Sequence, residues 1–269
     1  MKRLLKTGLS LFLLALVLIA LSYTALRAKG VNNPSSAAGR AVRSETREVS
    51  AKITQIDLNG PIDLTLRRGA TPSLTVSGEQ RLLANVETRI DGDTLHIGPK
   101  GMLFHHRQPL QVELVLPSLA KLEIHGSGDS VVSGFSGDSL VLELVGSGDL
   151  KFTGRYRQLN ASVQGSGDIE LHGGNSDSVS LSLMGSGNIK ASGNTVRLTL
   201  DLAGSGDIDA EHLAADQAKV SVQGSGQAAV FVRNDADLTL RGNGDIQVYG
   251  NPHQRATQRT GSGEVTWHE

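Results

Sequence analysis

Eight copies of one four-residue motif recur 18–20 residues apart along this chain. They read GSGD at Gly126–Asp129, Gly146–Asp149 and Gly165–Asp168, then GSGN at Gly185–Asn188 and GSGD at Gly204–Asp207. GSGQ at Gly224–Gln227, GNGD at Gly242–Asp245 and GSGE at Gly261–Glu264 complete the series. A fixed period makes each repeat one structural unit that buries its apolar face only by stacking on its neighbours. The chain is therefore constrained to an elongated solenoid, not a globule around a pocket.

Within a repeat the side chains alternate. In Val179–Gly193, Val179, Leu181 and Leu183 alternate with Ser180 and Ser182; after the turn, Ile189 and Ala191 alternate with Lys190 and Ser192. Period 2 predicts half-buried strands on both sides of the turn. The pattern recurs from Leu140 to Val248. Two architectures fit strand–turn–strand units: a parallel β-helix of stacked coils and an antiparallel meander. The solvent-facing position after the turn reads Lys151, Glu170, Lys190, Asp209 in successive repeats. In a β-helix these side chains stack about 4.8 Å apart, so each lysine meets an acid. A meander would separate them by an intervening strand. The expected fold is an all-β, single-stranded parallel β-helix with 19–20-residue coils. Its glycines serve a corner that needs positive φ and leaves no room for a Cβ.

Before Gly261 the inward positions turn polar: Arg255, Thr257 and Arg259. Polar residues there would blunt the open end of the solenoid. Residues 48–120 lack the motif but keep strand alternation between turn signals such as Asn59–Gly60–Pro61 and Asp91–Gly92–Asp93. They read as irregular N-terminal coils ahead of the repeats of 121–269. Gly98–Pro109 reads as a loop carrying His105, His106 and Arg107.

The N-terminus is a targeting segment. Lys2, Arg3 and Lys6 precede an uncharged run, Thr7–Leu26, that predicts a hydrophobic helix. The core Leu9–Leu21 suits a signal peptide, while the whole run of about 20 residues suits a membrane anchor. Residues 1–29 thus read as a signal peptide or a membrane anchor, and both place the rest outside the cytoplasm, with the basic n-region kept inside. Residues 30–47 are small, polar and charged, and read as a flexible linker. There is no cysteine, which excludes disulfides, thiolate metal sites and lipidation of an N-terminal cysteine. A net charge of −1 leaves no basic footprint for nucleic acid.

The segments ITQIDLNGPIDLTLRRG (53–69), VETRIDGDTLHI (86–97) and LPSLAKLEIHGSGD (116–129) with its iterations resemble the GIN-domain family, named for autotransporter-adhesin heads. The resemblance covers residues 48–269. It implies a right-handed β-helical domain of the bacterial envelope and supplies no catalytic residues. Nothing after Glu269 provides a translocator barrel, so the family's name is not to be taken literally for this chain.

Residues of this sequence suggest three kinds of chemistry. Asp129, Asp149, Asp168, Asp207 and Asp245 should form one acidic column, whose oxygen ligands could hold calcium. Asn188 and Gln227 interrupt the column, which favours turn residues over ligands. His105 and His106 with His96 or His125 offer imidazoles, but no acidic partner is fixed by the spacing. Polysaccharide cleavage would need clustered carboxylates and a basic residue on one outward face. The face before the turn reads Glu123, Glu143, Ser162, Ser182, Asp201, Ser221, Thr239, with Arg155–Tyr156–Arg157 in a loop able to flank a groove. The expectation is an exported, non-enzymatic, adhesin-like or scaffold domain without cofactor, meeting envelope proteins or glycans. The alternative is a polysaccharide-binding or polysaccharide-cleaving β-helix.

Overall fold

The corner motif determines the architecture. The first glycine of each copy from Gly146 onward has positive φ, for example +140° at Gly146 and +136° at Gly185. A Cβ on Gly146 would overlap the carbonyl oxygen of Gly126, the same glycine one coil earlier. The second glycine, such as Gly187, has no positive φ but would strike the Gly167 carbonyl oxygen. Hydrogen bonds lock the stack: Ser147 N–H donates to Gly126 O at 3.0 Å, and Ser186 N–H to Gly165 O at 2.9 Å.

A computed structural model describes residues 41–101 and 109–268. The predicted N-terminal helix, the first part of the linker and the loop of His105, His106 and Arg107 lie outside the described residues. All elements belong to the unit Val42–Glu269. Six long strands form the repeats: β9 (Ser130–Gly146), β10 (Asp149–Gly165), β11 (Asp168–Gly185), β12 (Asn188–Gly204), β13 (Asp207–Gly224) and β14 (Gln227–Gly242). Each pairs in parallel with the next, corner glycine beside corner glycine. The chain is a β-solenoid of about seven turns. Strands β15 (Asp245–Tyr249), β16 (Gln254–Gly261) and β17 (Val265–His268) continue the stack on β14 and β15.

Every inward position read from the alternation between Leu140 and Val248 is buried. The columns are apolar along the axis: Leu142, Ala161, Leu181, Leu200, Val220 and Leu238 stand in register. Buried Ser176 and Thr195 break the rule with hydrogen-bonded hydroxyls, and Ser130 breaks it without one. Ser130 stands in register with Leu64 and Leu150, and its hydroxyl is buried without a hydrogen-bond partner. An orphaned hydroxyl costs about 1–3 kcal/mol. Ser130→Ala is therefore expected to raise stability by about 1 kcal/mol in a denaturant melt; a loss would mean that the hydroxyl finds a partner in solution.

The N-terminal end is not a run of coils in chain order. Its elements are β1 (Val42–Arg47), β2 (Gln55–Asn59), β3 (Ile62–Arg68), β4 (Ser73–Glu79), α1 (Gln80–Leu83), β5 (Val86–Asp91), β6 (Thr94–Pro99), β7 (Leu110–Leu116) and β8 (Lys121–Gly126). Strand β2 lies in parallel between β6 and β8, and β3 between β7 and β9. The coil β2–β3 is thus sandwiched by two coils made later in sequence. Beyond β6 and β7 the pairing turns antiparallel, with β5 on β6 and β4 on β7. Strand β1 completes this end, antiparallel to β4.

Strand β1 corrects the linker boundary. Apart from Val42, residues 42–47 are polar, and nearly all are exposed, yet they form an edge strand. An edge strand needs little apolar surface and tolerates charge. Arg47 fastens it, donating to the carbonyl oxygens of Val86 at 2.6 Å and Leu83 at 2.9 Å.

At the other end all eight residues of β16 are exposed. Arg255, Thr257 and Arg259 stand in register with buried Ala236, Leu238 and Leu240, as the alternation predicted. The Arg255 guanidinium lies 4.7 Å from the centre of the Trp267 ring, packing against that partly buried side chain.

Candidate functional site: charged ladders along the coils

The corner acids form a ladder interrupted at Asn188 and Gln227. Asp129 stacks on a member hidden in the sequence, Asp63, whose Oδ1 accepts the Asp129 N–H at 3.1 Å. The signal was present: Gly60–Pro61–Ile62–Asp63 keeps the glycine-to-acid spacing of GSGD, and Gly126 packs on the Gly60 carbonyl. The same bond recurs from Asp149 N to Asp129 Oδ1 at 3.3 Å, Asn188 N to Asp168 Oδ1 at 2.9 Å and Gln227 N to Asp207 Oδ1 at 3.0 Å. Glu264 N donates to Asp245 Oδ1 at 2.9 Å. Each such carboxylate caps the turn of the following coil, the role expected of a turn acid.

Asp63, Asp129, Asp149 and Asp168 run without a neutral interruption. The Asp149 carboxyl is pushed up from the ordinary aspartate range, first by burial and then by the charges of Asp129 and Asp168. A raised pKa means that the fold favours the protonated form; the associated stability is present below the ordinary value of 3.8 and is lost as pH rises past it. At Asn188 the column already carries an amide, whose Nδ2 donates to Asp168 Oδ1 at 2.9 Å. Asp149→Asn is therefore expected to melt higher than the parent at pH 7, by ~0.5 kcal/mol given the exposure of the site. The gain should vanish below pH 3.8, and a lower midpoint at pH 7 would show that repulsion is not the governing effect.

The alternating row after the corner has the predicted register: Lys151 beside Glu170, Glu170 beside Lys190, Lys190 beside Asp209. Lys151 Nζ reaches Glu170 at 3.1 Å, and this contact holds the Glu170 carboxyl below the usual range. Between this row and the acid ladder runs a shallow groove of about 350 Å³, lined by Asp149, Lys151, Asp168, Glu170, Asn188 and Lys190.

On the face before the corner, Glu123 and Glu143 are neighbours in register. The structure adds residues that the motif search missed. Lys121 Nζ lies 2.8 Å from Glu123 and 3.7 Å from Glu143. Asp57 continues the row beside Glu123, and His96 Nδ1 lies 2.8 Å from Asp57. A general acid needs a carboxyl held protonated near neutral pH. Here the Lys121 ammonium moves Glu123 the other way, below the usual carboxylate range, and is itself stabilised as a cation. The cluster is an electrostatic lattice more than a proton-transfer pair.

The supposed flanking loop also differs. Tyr156 is buried in the core, its hydroxyl donating to Leu119 O at 2.7 Å. Arg157 is outside, 2.9 Å from Asp177. A larger open groove, about 530 Å³, crosses four coils where the inward column narrows to Ala218 and Ala236. Arg197, Lys219, Asp235 and Asp237 stand among its lining, with Gln217 Nε2 donating to Asp235 at 2.8 Å. Of the histidines weighed as ligands, His96 is engaged by Asp57 and His125 is exposed beside Asn59.

A family model described as "Putative auto-transporter adhesin, head GIN domain" matches residues 52–252. The chain belongs to this GIN-domain family. No protein of curated function matches it. The GIN domain is similar in fold to the crystal structure of a "putative adhesin" from Parabacteroides distasonis ATCC 8503: TM-score 0.79, 23% identity, covering 86% of this chain and 98% of that one. A "putative lipid binding protein" from the same organism gives TM-score 0.78 at 24% identity, covering 85% and 97%. A "putative adhesin" from Parabacteroides merdae ATCC 43184 gives 0.79 at 19%, covering 85% and 96%. At these identities the likeness shows the fold alone. The matched span of the GIN domain contains the acid ladder from Asp63 to Asp245 and the Lys121 cluster.

Proposed function

We propose that this GIN domain is an exported, non-enzymatic interaction module of the bacterial envelope, held in the periplasm or at the inner membrane facing it. Its partners are envelope proteins or glycans, met by flat faces and not by an enclosed pocket. The observation that carries this reading is the pairing of outward charges across coils: Lys121 with Glu143, Lys151 with Glu170, and Arg233 with Asp216 at 3.0 Å. Paired, half-exposed charges give specificity and register at little gain in stability. The paired carboxyls of Glu123 and Glu170 are held below the usual carboxylate range, away from the protonated form a general acid needs. The corner acids act as turn residues in this reading, with no metal required. The adhesin names carried by proteins of the same fold support it.

The second reading, binding or cleavage of polysaccharide, is favoured by the open groove of about 530 Å³ beside Lys219 and Asp237. A glycan array, with release of reducing ends measured on the same samples, separates the two. Binding without turnover is the expected result for a glycan partner. Sugar turnover would overturn the proposal. Fractionation of cells, with the mass of the mature chain, tests export and retention.

A further inference from the structure

Strand β13 breaks its alternation at one place. Ala210 is buried, Glu211 and His212 both turn outward, and Leu213 is buried again. Regular strands send successive side chains to opposite faces. The register gives the cause: Ala210 stands beside Val230 and Ala214 beside Phe231, so Glu211, His212 and Leu213 have no counterparts in β14. Such bulges re-aim side chains and are common beside functional sites. Here the bulge brings Glu211 and His212 to the side of Asp209. One carboxylate oxygen of Asp209, one of Glu211 and one ring nitrogen of His212 lie within 4.8 Å of one another. Among the described residues, no other three His, Asp or Glu side chains meet in this way.

The two carboxylates also lack the cationic partner that Glu123 and Glu143 have. Lys121 bridges Glu123 and Glu143, and backbone N–H groups of the next coil cap the corner acids. Among the described residues, no lysine or arginine reaches ion-pair distance of Asp209 or Glu211; Lys190 is beside Asp209 in register without closing on it. Asp209 Oδ1 accepts the Glu211 N–H at 3.2 Å, which fixes its orientation and leaves Oδ2 free of that bond. Like charges brought together without a counter-ion repel.

We propose that Asp209, Glu211 and His212 form a surface site for a divalent transition metal. An imidazole with two carboxylates suits borderline ions such as zinc, cobalt, nickel or manganese better than calcium or magnesium, which prefer oxygen alone. Bonds of about 2.0–2.2 Å hold such donors roughly 3–4 Å apart, so modest rotation of these surface side chains closes the gap. Three protein ligands leave coordination positions for water. The site is distinct from the corner column, whose carboxylates carry no imidazole.

The test is titration of the full chain with cobalt(II), read by visible absorption, and with zinc(II), read by calorimetry. The expected result is one equivalent bound, weakened more than about tenfold in His212→Ala and in Glu211→Gln. Binding should persist in Asp149→Asn and in His172→Ala, which alter the corner column and the neighbouring His172–Glu170 pair. Far-ultraviolet melts without metal show that each variant is folded. No stoichiometric binding by the parent, or undiminished binding by folded His212→Ala, would overturn the proposal.

Discussion

Gly185→Ala should unfold the middle of this solenoid at temperatures where the parent is intact. Two independent costs coincide at that residue. Its φ of +136° is a region that side-chain-bearing residues rarely adopt. Its new Cβ would also overlap the Gly165 carbonyl, the group that accepts the Ser186 N–H at 2.9 Å. Strain of this kind costs about 1–3 kcal/mol. Forcing two packed coils apart costs a further 1–3 kcal/mol or so. A total of about 3–5 kcal/mol is a large share of the stability of an ordinary domain. The comparison is Gly92→Ala, with φ of +62° but open space around the added carbon. It should cost only about 1–2 kcal/mol. Denaturant melts of both variants check this; equal losses would remove coil-to-coil contact as the reason for the repeated glycine.

The second large effect appears at alkaline pH. Tyr156 is 2% exposed, and burial pushes its phenol up to about 12 from an ordinary 10.0, against a weak opposing pull from Arg68. A raised phenol pKa means that the fold holds the neutral form. That stability is fully present below pH 10 and is lost as pH rises toward 12. The difference is worth about 2–3 kcal/mol. The expected observation is a melting midpoint that falls steeply above pH 10, with one phenolate appearing only as strand signal is lost. Tyr156→Phe should flatten that fall. It should also cost about 1–2 kcal/mol at pH 7, because Leu119 O loses its donor. An unchanged alkaline profile in the variant would remove Tyr156 as its cause.

The repeats were legible because their physics is local. Period-2 alternation picked out the buried residues from Leu140 to Val248, and the Lys151–Glu170–Lys190–Asp209 alternation correctly implied parallel stacking. What alternation cannot show is which distant strand lies alongside. Strand β2 pairs with β6 and β8, and nothing in Gln55–Asn59 states that choice. Strand β1 was hidden for a related reason, since an edge strand needs little apolar surface. Tyr156 was misplaced because alternation lapses at the bend, where the register to β11 shifts between Thr153 and Gln158. Asp63 was readable, had the search allowed proline and isoleucine within the corner. The Asp209–Glu211–His212 cluster was not, because a regular strand would have separated Glu211 from His212.

The threading of β2–β3 between later coils imposes a schedule on assembly. As the chain emerges from the ribosome, these strands come out early, gain a first neighbour only with Thr94–Pro99 and Leu110–Leu116, and lack the second until residues beyond 130 have followed. Growth can then proceed one coil at a time toward the C-terminus, each new coil templated by the last. Unravelling is lopsided for the same reason. The C-terminal end can peel away strand by strand, whereas the N-terminal end is interleaved like a lapped joint and must yield several strands together. A pulling force applied through the N-terminus should therefore meet its strongest resistance once β1 has left β4 and the interleaved strands bear the load.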